Sequence, residues 1–382
     1  MEKRLFTSEC VTCGHPDKVA DCISDAILDA CLAQDPGSRV ACETMVTTNF
    51  CLICGEITTK AVVDYAAVAR EVIRSIGYVH EDAGFNADTV EILCKIHTQS
   101  ADIAMGTNDD VGGAGDQGMM FGGACTQTES LMPLPTDMAR ALANRLTACI
   151  RENSLLRPDG KTQVSAEFDE AGNVIGIDTV VVSVMHSCEF VMEDLRAYVR
   201  SQVIAPVLEQ YGFRIEDVAN IHINPTGNFV IGGPDGDTGL TGRKTIVDTY
   251  GGYFSHGGGA FSGKDPTKVD RSGADMARYM AKNLVAAGLA SQVQVQLAYA
   301  IGVAEPVSVR VDSYGTGKIS DEEMTALLRK TCDLTPGGII RKLDLRRPIY
   351  GKTAKEGHFG VEDRPWEATD LAEQLKKLAA SI

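Results

Sequence analysis

The sequence predicts an α+β or mixed α/β fold of two or three domains. Strand-like patterns and amphipathic helical patterns follow one another along the whole chain, which is typical of sheets that carry helices. With 382 residues the chain is too long for one small domain, and a hydrophobic content of 44% is enough for separate cores. No internal repeat that would indicate a solenoid is visible.

The first hundred residues alternate between strands and helices with clear start and stop signals. His15-Pro16-Asp17 opens a helix, because proline is favoured in a first turn, and Asp35-Pro36-Gly37 ends it. Thr47-Thr48-Asn49 joins two apolar-rich segments and predicts a hairpin. The other elements predicted here are a strand or turn over 5–9, strands over 39–46 and 50–57, a helix from Asp64 to Gly77, and a strand over 90–96 that ends near Gln99.

Periodicity disappears over 101–123, where Gly, Asn and Asp dominate, so this stretch is either a linker or an active-site lid. Beyond it, Gly172-Asn173 predicts a second hairpin. The predicted elements are a helix over 136–153, a turn over 157–161, strands over 162–168 and 174–184, a helix over 192–211, an interrupted strand over 222–233, a glycine-rich loop over 234–244, a strand over 293–301, and helices over 324–332 and 370–378.

The most informative stretch is glycine-rich and basic, and it runs from Gly251 to Asp270. Six glycines over 251–263 would let backbone N–H groups approach an oxyanion, and Lys264, Lys268 and Arg271 would balance its charge. A helix follows, with Asp270 or Ser272 as N-cap and Gly288 as its stop. A flexible surface loop would also explain the glycines. The stretch is not a P-loop, because Asp265 stands where that motif needs a hydroxyl.

Composition argues against several classes of partner. The net charge of −16 disfavours a nucleic acid or a membrane surface. The N-terminus has no apolar core of a secretory leader, and no stretch of about 18 apolar residues suggests a span. Twelve cysteines without a leader are expected to be reduced thiols in a cytoplasm.

Seven short motifs carry a resemblance to one family. They are, in chain order, GHPDK (14–18), GEIT (55–58), GAGDQG (113–118), DGK (159–161), GLTGRK (239–244), DTYGG (248–252) and GGGAFSGKDPTKVDRS (257–272). Together they resemble the S-adenosylmethionine synthetases, also called methionine adenosyltransferases, across nearly the whole chain. This family joins methionine to ATP: the thioether sulfur attacks the ribose C5′ and expels triphosphate, which is then split to phosphate and diphosphate.

That chemistry suits a site built for positioning and charge. A thioether has no proton to lose, so no general base is needed. Alignment of two reactants supplies roughly 7–11 kcal/mol of a barrier. Fixed cations and magnesium stabilise the charge that gathers on the leaving polyphosphate.

The resemblance assigns roles to individual residues. His15, Lys161, Arg243 and Lys264 are expected to be catalytic, with His15 as a hydrogen-bond donor to the leaving oxygen. The residues expected to bind ATP are His15, Asp116, Asp159, Lys161, Phe229, Asp237, Arg243, Lys244, Ala260 and Lys264, with Phe229 stacked on adenine. Methionine is expected at Glu56, Gln99, Asp237, Lys268 and Ile301. Asp17 and Asp270 are expected to bind two Mg²⁺ ions per site, and Glu43 a K⁺ ion.

Three of these assignments also have plainer explanations. Capping of the helix explains Asp17 by itself, and exposed strand edges explain Glu43 and Glu56.

The resemblance also implies an architecture. Three similar domains of sheet plus helices, related by pseudo-threefold symmetry, are expected over 1–100, 113–228 and 229–382, with a lid loop over 101–112. Two subunits of a homodimer are expected to share each active site, and pairs of dimers commonly form homotetramers.

The chain departs from the family pattern in three places. Cys13 replaces the usual Glu before GHPDK, Asn228 replaces the usual Arg before Phe229, and the lid is shorter than is common. The motif residues are intact, so an active enzyme is expected.

A second class of interpretation is a metal-binding or redox protein. Cys10 and Cys13, and Cys51 and Cys54, form two C-x-x-C pairs, but their separation is longer than in a usual zinc ribbon. A redox hypothesis also follows for Cys13, because the helix start and Lys18 would favour its thiolate, with Cys10 or Cys54 as a disulfide partner. Another ATP-using transferase or kinase is disfavoured by the missing hydroxyl after Lys264.

Overall fold

The computed structural model describes residues 4–98 and 112–382. Helices and strands alternate along the chain, and three sheets carry the helices on their faces. The elements of the first part are β1 (Arg4–Val11), α1 (Pro16–Gln34), β2 (Arg39–Thr47), β3 (Phe50–Thr58), α2 (Tyr65–Ile76) and β4 (Glu91–His97).

The remaining elements lie between residues 118 and 379. They are β5 (Gly118–Cys125), α3 (Leu134–Glu152), β6 (Leu156–Phe168), β7 (Val174–His186), α4 (Met192–Val199), a π-helical turn (Arg200–Ile204), α5 (Ala205–Gln210), β8 (Asn220–Ile223), α6 (Gly233–Gly236), β9 (Gly239–Leu240), α7 (Thr245–Asp248), α8 (Val269–Ala286), β10 (Gln292–Tyr299), β11 (Ser308–Asp312), α9 (Asp321–Thr331), α10 (Pro336–Leu343), α11 (Thr353–Glu356) and α12 (Ala372–Ala379).

Each sheet is assembled from distant parts of the chain. The strand orders are β1-β6-β7-β8, β11-β10-β5 and β4-β3-β2-β9. β1 is antiparallel to β6, β5 is antiparallel to β10, and the short β9 pairs with β2. Every sheet therefore joins segments that lie more than a hundred residues apart in sequence.

Three apolar cores lie against these sheets. One packs α8 on β5, β10 and β11, a second packs α1 and α2 on β2 and β3, and a third packs α3 and the helices over 192–210 on β6 and β7. The mixed α+β architecture predicted from the alternating patterns is confirmed.

Most predicted elements are confirmed where capping or turn chemistry marks them. The N-cap of α1 is His15, with Pro16 in the first turn, and Asp35 is its C-cap. Asp64 caps α2 and Gly77 ends it in the left-handed region, with φ at 114°. The hairpin of β2 and β3 turns at Asn49, which has a φ of 48°.

Two sequence predictions are wrong because packing overrides the local signal. The glycine-rich stretch ending at 123 contains β5, where a Cβ on Gly122 would lie 2.0 Å from the Ala277 carbonyl carbon on α8. These glycines permit close packing of a helix on a strand rather than a loop. The turn predicted over 157–161 is part of β6, whose register shifts between Leu156 and Gly160.

The start of α8 also differs from the prediction. Lys268 is the N-cap and makes no capping hydrogen bond with its side chain, while Asp270 and Ser272 lie inside the first turn. β11 and α10 were not predicted at all. The lid over 101–112 lies, except for Gly112, outside the described residues, and so does Gln99. In the described part of the chain, no helix combines the length and apolar composition that a bilayer crossing requires.

Candidate active site

The predicted residues fall into two groups that are both anchored on α1. The first group surrounds the start of this helix and contains His15, Asp17, Asp159, Lys161, Phe229, Asp237, Arg243 and Lys244. The second group surrounds the turn over residues 261–264 of the glycine-rich stretch, called the glycine-rich turn below, and contains Glu43, Glu56, Asp116, Lys264, Asp270 and Ile301.

His15 is the centre of the first group. Its Nδ1 accepts a hydrogen bond from the Asp17 backbone N–H at 3.2 Å, so the neutral ring carries its proton on Nε2. Burial, and then the nearby Lys244 and Lys161 ammonium groups, lower the pKa of His15 to about 3. The ring is therefore a neutral hydrogen-bond donor at physiological pH.

Asp17 is buried and is surrounded by cations and a backbone donor. Lys244 Nζ lies 2.5 Å from its Oδ2, Arg243 Nε lies 3.7 Å from its Oδ1, and the Leu240 N–H donates to Oδ1 at 3.0 Å. Burial alone would raise the pKa of Asp17, but Lys244 and the Leu240 N–H outweigh it and hold the pKa below its usual value. The Asp17 carboxylate is thus ionised, and it binds the cationic loop over 240–244 instead of only capping α1.

The DGK motif lies beside the start of α1. A Cβ on Gly14 would lie 2.3 Å from the Pro158 carbonyl carbon, so only glycine permits this contact. Asp159 Oδ2 accepts from the Gly233 N–H at 2.8 Å, and its buried Oδ1 has no hydrogen-bond partner. Burial raises the pKa of Asp159 to about 6.

The loop that follows β8 brings Phe229 and Asp237 to the first group. The Phe229 N–H donates to Nε2 of the buried His186 at 3.0 Å, and its ring is half-buried beside Gly232. The Asp237 N–H donates to the Gly233 carbonyl, and its side chain is exposed. Because Gly233 is bound by Asp159, the DGK motif fixes the position of this loop.

The second group forms where the glycine-rich turn docks on β2. The backbone of Lys264 pairs with that of Ala41 on β2 in a single antiparallel β-bridge. The neighbouring Cys42 N–H donates to the Gly263 carbonyl at 2.9 Å. Lys264 Nζ lies 2.7 Å from Asp270 Oδ2 on the first turn of α8. The predicted triphosphate lysine and the predicted magnesium carboxylate are therefore ion-paired with each other.

Glu43 and Glu56 share the exposed side of this sheet with Lys264. Partial desolvation raises the pKa of Glu43, Lys264 opposes this, and the charge of Glu56 adds to it. Two carboxylates beside one ammonium leave this face of the sheet with a net negative charge. Gln99, the other residue predicted to bind methionine beside Glu56, lies outside the described residues.

Asp116 and Ile301 also belong to the second group. Backbone hydrogen bonds join Ala114 to Gly302 and Val303, so the GAGDQG motif lies next to Ile301. Both side chains are exposed. Ala260 lies between the two groups, because a Cβ on Gly242 would be 2.6 Å from the Ala260 Cβ.

Two basic residues of the glycine-rich stretch are engaged with buried carboxylates. Lys268 Nζ lies 2.6 Å from Oδ2 of the buried Asp265. Arg271 is fully buried and forms a two-pronged ion pair with Asp25 at 2.7 and 2.9 Å. The expectation that Arg271 balances the charge of a bound oxyanion is therefore wrong, because its charge is already balanced inside the protein.

Sequence reasoning missed a row of aspartates on α1. Asp17, Asp21, Asp25 and Asp29 recur every four residues, so they lie on one face of the helix. They accept hydrogen bonds from the backbone N–H groups of Leu240, Gly242, Gly263, Tyr350 and Gly351. The four-residue spacing of these aspartates was the signal in the sequence that could have revealed this face. Through it, α1 holds three loops, which contain residues 240–242, residue 263 and residues 350–351.

The carboxylates suit magnesium only when a ligand completes its shell. Among residues 4–98 and 112–382, no three His, Cys, Asp or Glu side chains form a ready metal cluster. Asp17 and Asp270 are single carboxylates beside cations. Mg²⁺ is commonly held by one or two carboxylates together with substrate phosphates and water, and this donor set fits that mode.

The metal-binding or redox interpretation of the cysteines is not supported. All twelve cysteines are free, and Cys51 and Cys54 point to opposite faces of β3 because they are three positions apart, an odd spacing in a strand. Burial raises the pKa of Cys13, and Lys18 is ion-paired with Asp21 and Asp248. The expectation of a stabilised Cys13 thiolate is therefore wrong.

Two open clefts of about 500 Å³ each lie on other parts of the surface. None of the predicted site residues lines either of them.

Comparison with known protein families covers almost the whole chain. The model of the S-adenosylmethionine synthetase N-terminal domain matches residues 3–101, that of the central domain matches residues 111–229, and that of the C-terminal domain matches residues 231–368. The three matches follow one another without overlap, and each contains motifs of the two groups described above. The chain therefore belongs to the S-adenosylmethionine synthetase family.

Proposed function

We propose that this chain makes S-adenosylmethionine from ATP and methionine by direct attack of the methionine sulfur on the ribose C5′. Triphosphate leaves, and water then splits it into phosphate and diphosphate. Family membership supports the overall synthesis. The observation that supports this reaction route is that both cationic loops are held on α1. Asp21 accepts a hydrogen bond from the Gly242 N–H, and Asp25 accepts one from the Gly263 N–H.

His15 acts on the leaving oxygen in this proposal. Its Nε2 carries the proton because Nδ1 is occupied by the Asp17 N–H. A donor aimed at developing negative charge contributes typically 2.7–4 kcal/mol, about what loss of one oxyanion donor costs. The low pKa of His15 keeps the ring neutral, so it binds the leaving oxygen without transferring its proton.

The lysines bind the triphosphate by exchanging partners. Lys244 and Lys264 are paired with Asp17 and Asp270 in the ligand-free arrangement. A bound polyphosphate would draw each ammonium to a phosphate oxygen, and Asp17 and Asp270 would then be the carboxylates that hold Mg²⁺, so that charge balance would be kept. Magnesium supplies Lewis-acid neutralisation of the phosphate oxygens. Lys161 and Arg243 complete the cationic surface.

Methionine and adenine bind beside these groups. Phe229 offers a half-buried ring to adenine, and Asp116, Asp159, Asp237 and Ala260 line the nucleotide position. Glu56, Gln99 and Asp237 bind the methionine ammonium and Lys268 its carboxylate, while Ile301 contacts the apolar chain. Lys268 must separate from Asp265 to do this. Glu43 is proposed to hold K⁺ next to Glu56.

The complete site is proposed to form between two copies of the chain. No hydrogen bond or ion pair joins the first group to the second within residues 4–98 and 112–382. Asp17 and Asp25, which anchor them, are eight residues apart on α1, or about 12 Å. The first group of one subunit and the second group of its partner would together surround one substrate pair, in a homodimer or a pair of homodimers.

One assay tests the reaction. The protein is incubated with ATP, Mg²⁺ and methionine, and S-adenosylmethionine, phosphate and diphosphate are measured by mass spectrometry and ion chromatography. Lys264→Ala should lose at least about a hundredfold in turnover, because fixed charge on the leaving group is removed. The exposed Lys330→Ala is the matched control and should keep normal turnover. Absence of S-adenosylmethionine with the wild-type protein would refute the proposal.

A mixing experiment tests the shared site. Asp17→Asn and Lys264→Ala impair different groups, so each variant alone should be nearly inactive at a Mg²⁺ concentration that is only just sufficient for the wild type. After the two variants are unfolded and refolded together, half of the dimers should be hybrids, and each hybrid has one intact site. About a quarter of wild-type activity should therefore return. No recovery, with hybrid dimers confirmed by native mass spectrometry, would place both groups in one subunit's site.

A further inference from the structure

A buried aromatic stack lies directly behind the glycine-rich turn. The His358 ring is stacked on Trp366 with ring centroids 4.7 Å apart, and its Nε2 lies 2.6 Å from Oδ1 of Asp275 on α8. The Trp366 indole N–H donates to the His358 carbonyl at 2.8 Å. All three residues are at most 2% exposed. The His358 ring is therefore held by its hydrogen bond to Asp275 and by its stacking on Trp366, while the indole N–H of Trp366 binds the His358 backbone.

Phe261 connects this stack to the turn. Its ring centroid lies 4.5 Å from that of His358. Its carbonyl accepts hydrogen bonds from the Lys264 N–H at 3.2 Å and from the Arg271 guanidinium at 3.0 Å. One residue thus holds the turn by its backbone while its side chain rests on the buried histidine.

We propose that His358, oriented by Asp275 and backed by Trp366, is a positioning residue that fixes the Phe261 ring and, through it, the turn that presents Lys264. This inference rests on the proposed role of Lys264 in binding the triphosphate. It assigns a function to residues that lie outside every motif of the family resemblance and touch no substrate.

The hydrogen bond between His358 and Asp275 sets the orientation of a flat ring in a closely packed apolar environment. Burial raises the pKa of Asp275 and lowers that of His358, so both groups favour their neutral forms. Asp275 Oδ2 has no hydrogen-bond partner. Buried polar pairs are often no more stabilising than well-packed apolar side chains. The pair's specific contribution is the orientation of the His358 ring under Phe261.

Steady-state kinetics separates positioning from general stability. His358→Gln removes the ring and should lower kcat by about tenfold or more, because small misplacement of a charged group is costly, while KM for methionine changes little. Met324→Ala is the control, since Met324 is fully buried in the same core and belongs to α9. It should lose thermal stability and keep its kcat.

A ring-preserving variant provides the rescue. The double variant His358→Phe with Asp275→Leu keeps a flat ring under Phe261 and leaves no unpaired polar group. Its kcat should lie within about threefold of the wild type. Wild-type kcat in His358→Gln, or an equal loss in Met324→Ala, would overturn the inference.

Trp366 is the only tryptophan of the chain and gives a readout that is independent of turnover. Addition of Mg²⁺ and inorganic triphosphate to the wild-type protein should change its emission saturably, because a shift of the turn reaches Trp366 through Phe261 and His358. Phe261→Leu should bind triphosphate by calorimetry but lose the emission change. Binding without an emission change in the wild type would refute the inference even if His358→Gln fails to fold. Failure of the proposed function is distinguished from this result, because S-adenosylmethionine is measured separately.

Discussion

Replacement of Gly263 by alanine tests whether the glycine-rich turn is held on β2 as tightly as its contacts indicate. Gly263 has a φ of 78°, in the left-handed region, and a Cβ there would lie 1.9 Å from the Cys42 carbonyl oxygen. The left-handed backbone alone costs an alanine about 1–2 kcal/mol. Relief of the clash requires the turn to move away from β2.

Movement of the turn breaks two hydrogen bonds. The Cys42 N–H loses the Gly263 carbonyl at 2.9 Å, and the Gly263 N–H loses Asp25 Oδ1 at 2.8 Å. A buried donor without a partner costs about 1–3 kcal/mol, and a hydrogen bond to a charged group contributes a similar amount. Gly263→Ala should therefore destabilise the protein by about 3–8 kcal/mol in total, and displacement of Lys264 should abolish most turnover.

Gly258→Ala is the matched control in the same stretch. Gly258 has a φ of 95°, and a Cβ there meets no atom within 4 Å, so only the backbone term applies. The assay is thermal unfolding at one scan rate together with turnover. Gly263→Ala should melt at least about 5 °C below Gly258→Ala, which should remain active. Equal melting temperatures and equal turnover in the two variants would refute the docking of the turn.

Three further predictions concern the charges around α1. Asp17→Asn and Asp270→Asn should each raise the Mg²⁺ concentration needed for half-maximal turnover, because an amide is a weaker ligand than a carboxylate; an unchanged titration would remove the metal assignment. The pKa of His15 is lowered to about 3 from 6.5, so its contribution to stability is present above pH 6.5 and is lost as the pH falls towards 3. Denaturation of wild type and His15→Gln should diverge by up to about 1.4 kcal/mol per pH unit in that window, and parallel curves would contradict the shift. Because Cys13 is buried with a raised pKa, mild peroxide should inactivate wild type and Cys13→Ser equally, and selective protection of Cys13→Ser would restore the redox hypothesis.

Local signals in the sequence determined the elements whose ends are set by their own residues. The boundaries of α1 and α2 and the hairpin at Asn49 follow from capping and turn chemistry, which act over a few residues. The residue types of the candidate site were also readable, because glycines, lysines and carboxylates in that order suit an anionic leaving group.

Only the tertiary structure decided which of these residues are available to a ligand. Arg271 and Lys264 are both basic residues at the end of the glycine-rich stretch, so the sequence does not distinguish them. In the structure Arg271 is buried against Asp25, whereas Lys264 is partly exposed beside Asp270. The difference depends on a carboxylate 246 residues away in the chain. No local pattern carries information about such a partner.

The pairing of strands into sheets also depends on partners that are distant in the chain. β1 pairs with β6, β5 with β10 and β9 with β2, and each pairing joins distant segments whose own patterns are compatible with many partners. The sequence by itself therefore determined the local elements and the chemical inventory. The tertiary structure decided strand pairing and which charges are neutralised inside, because both depend on contacts between residues far apart in the chain.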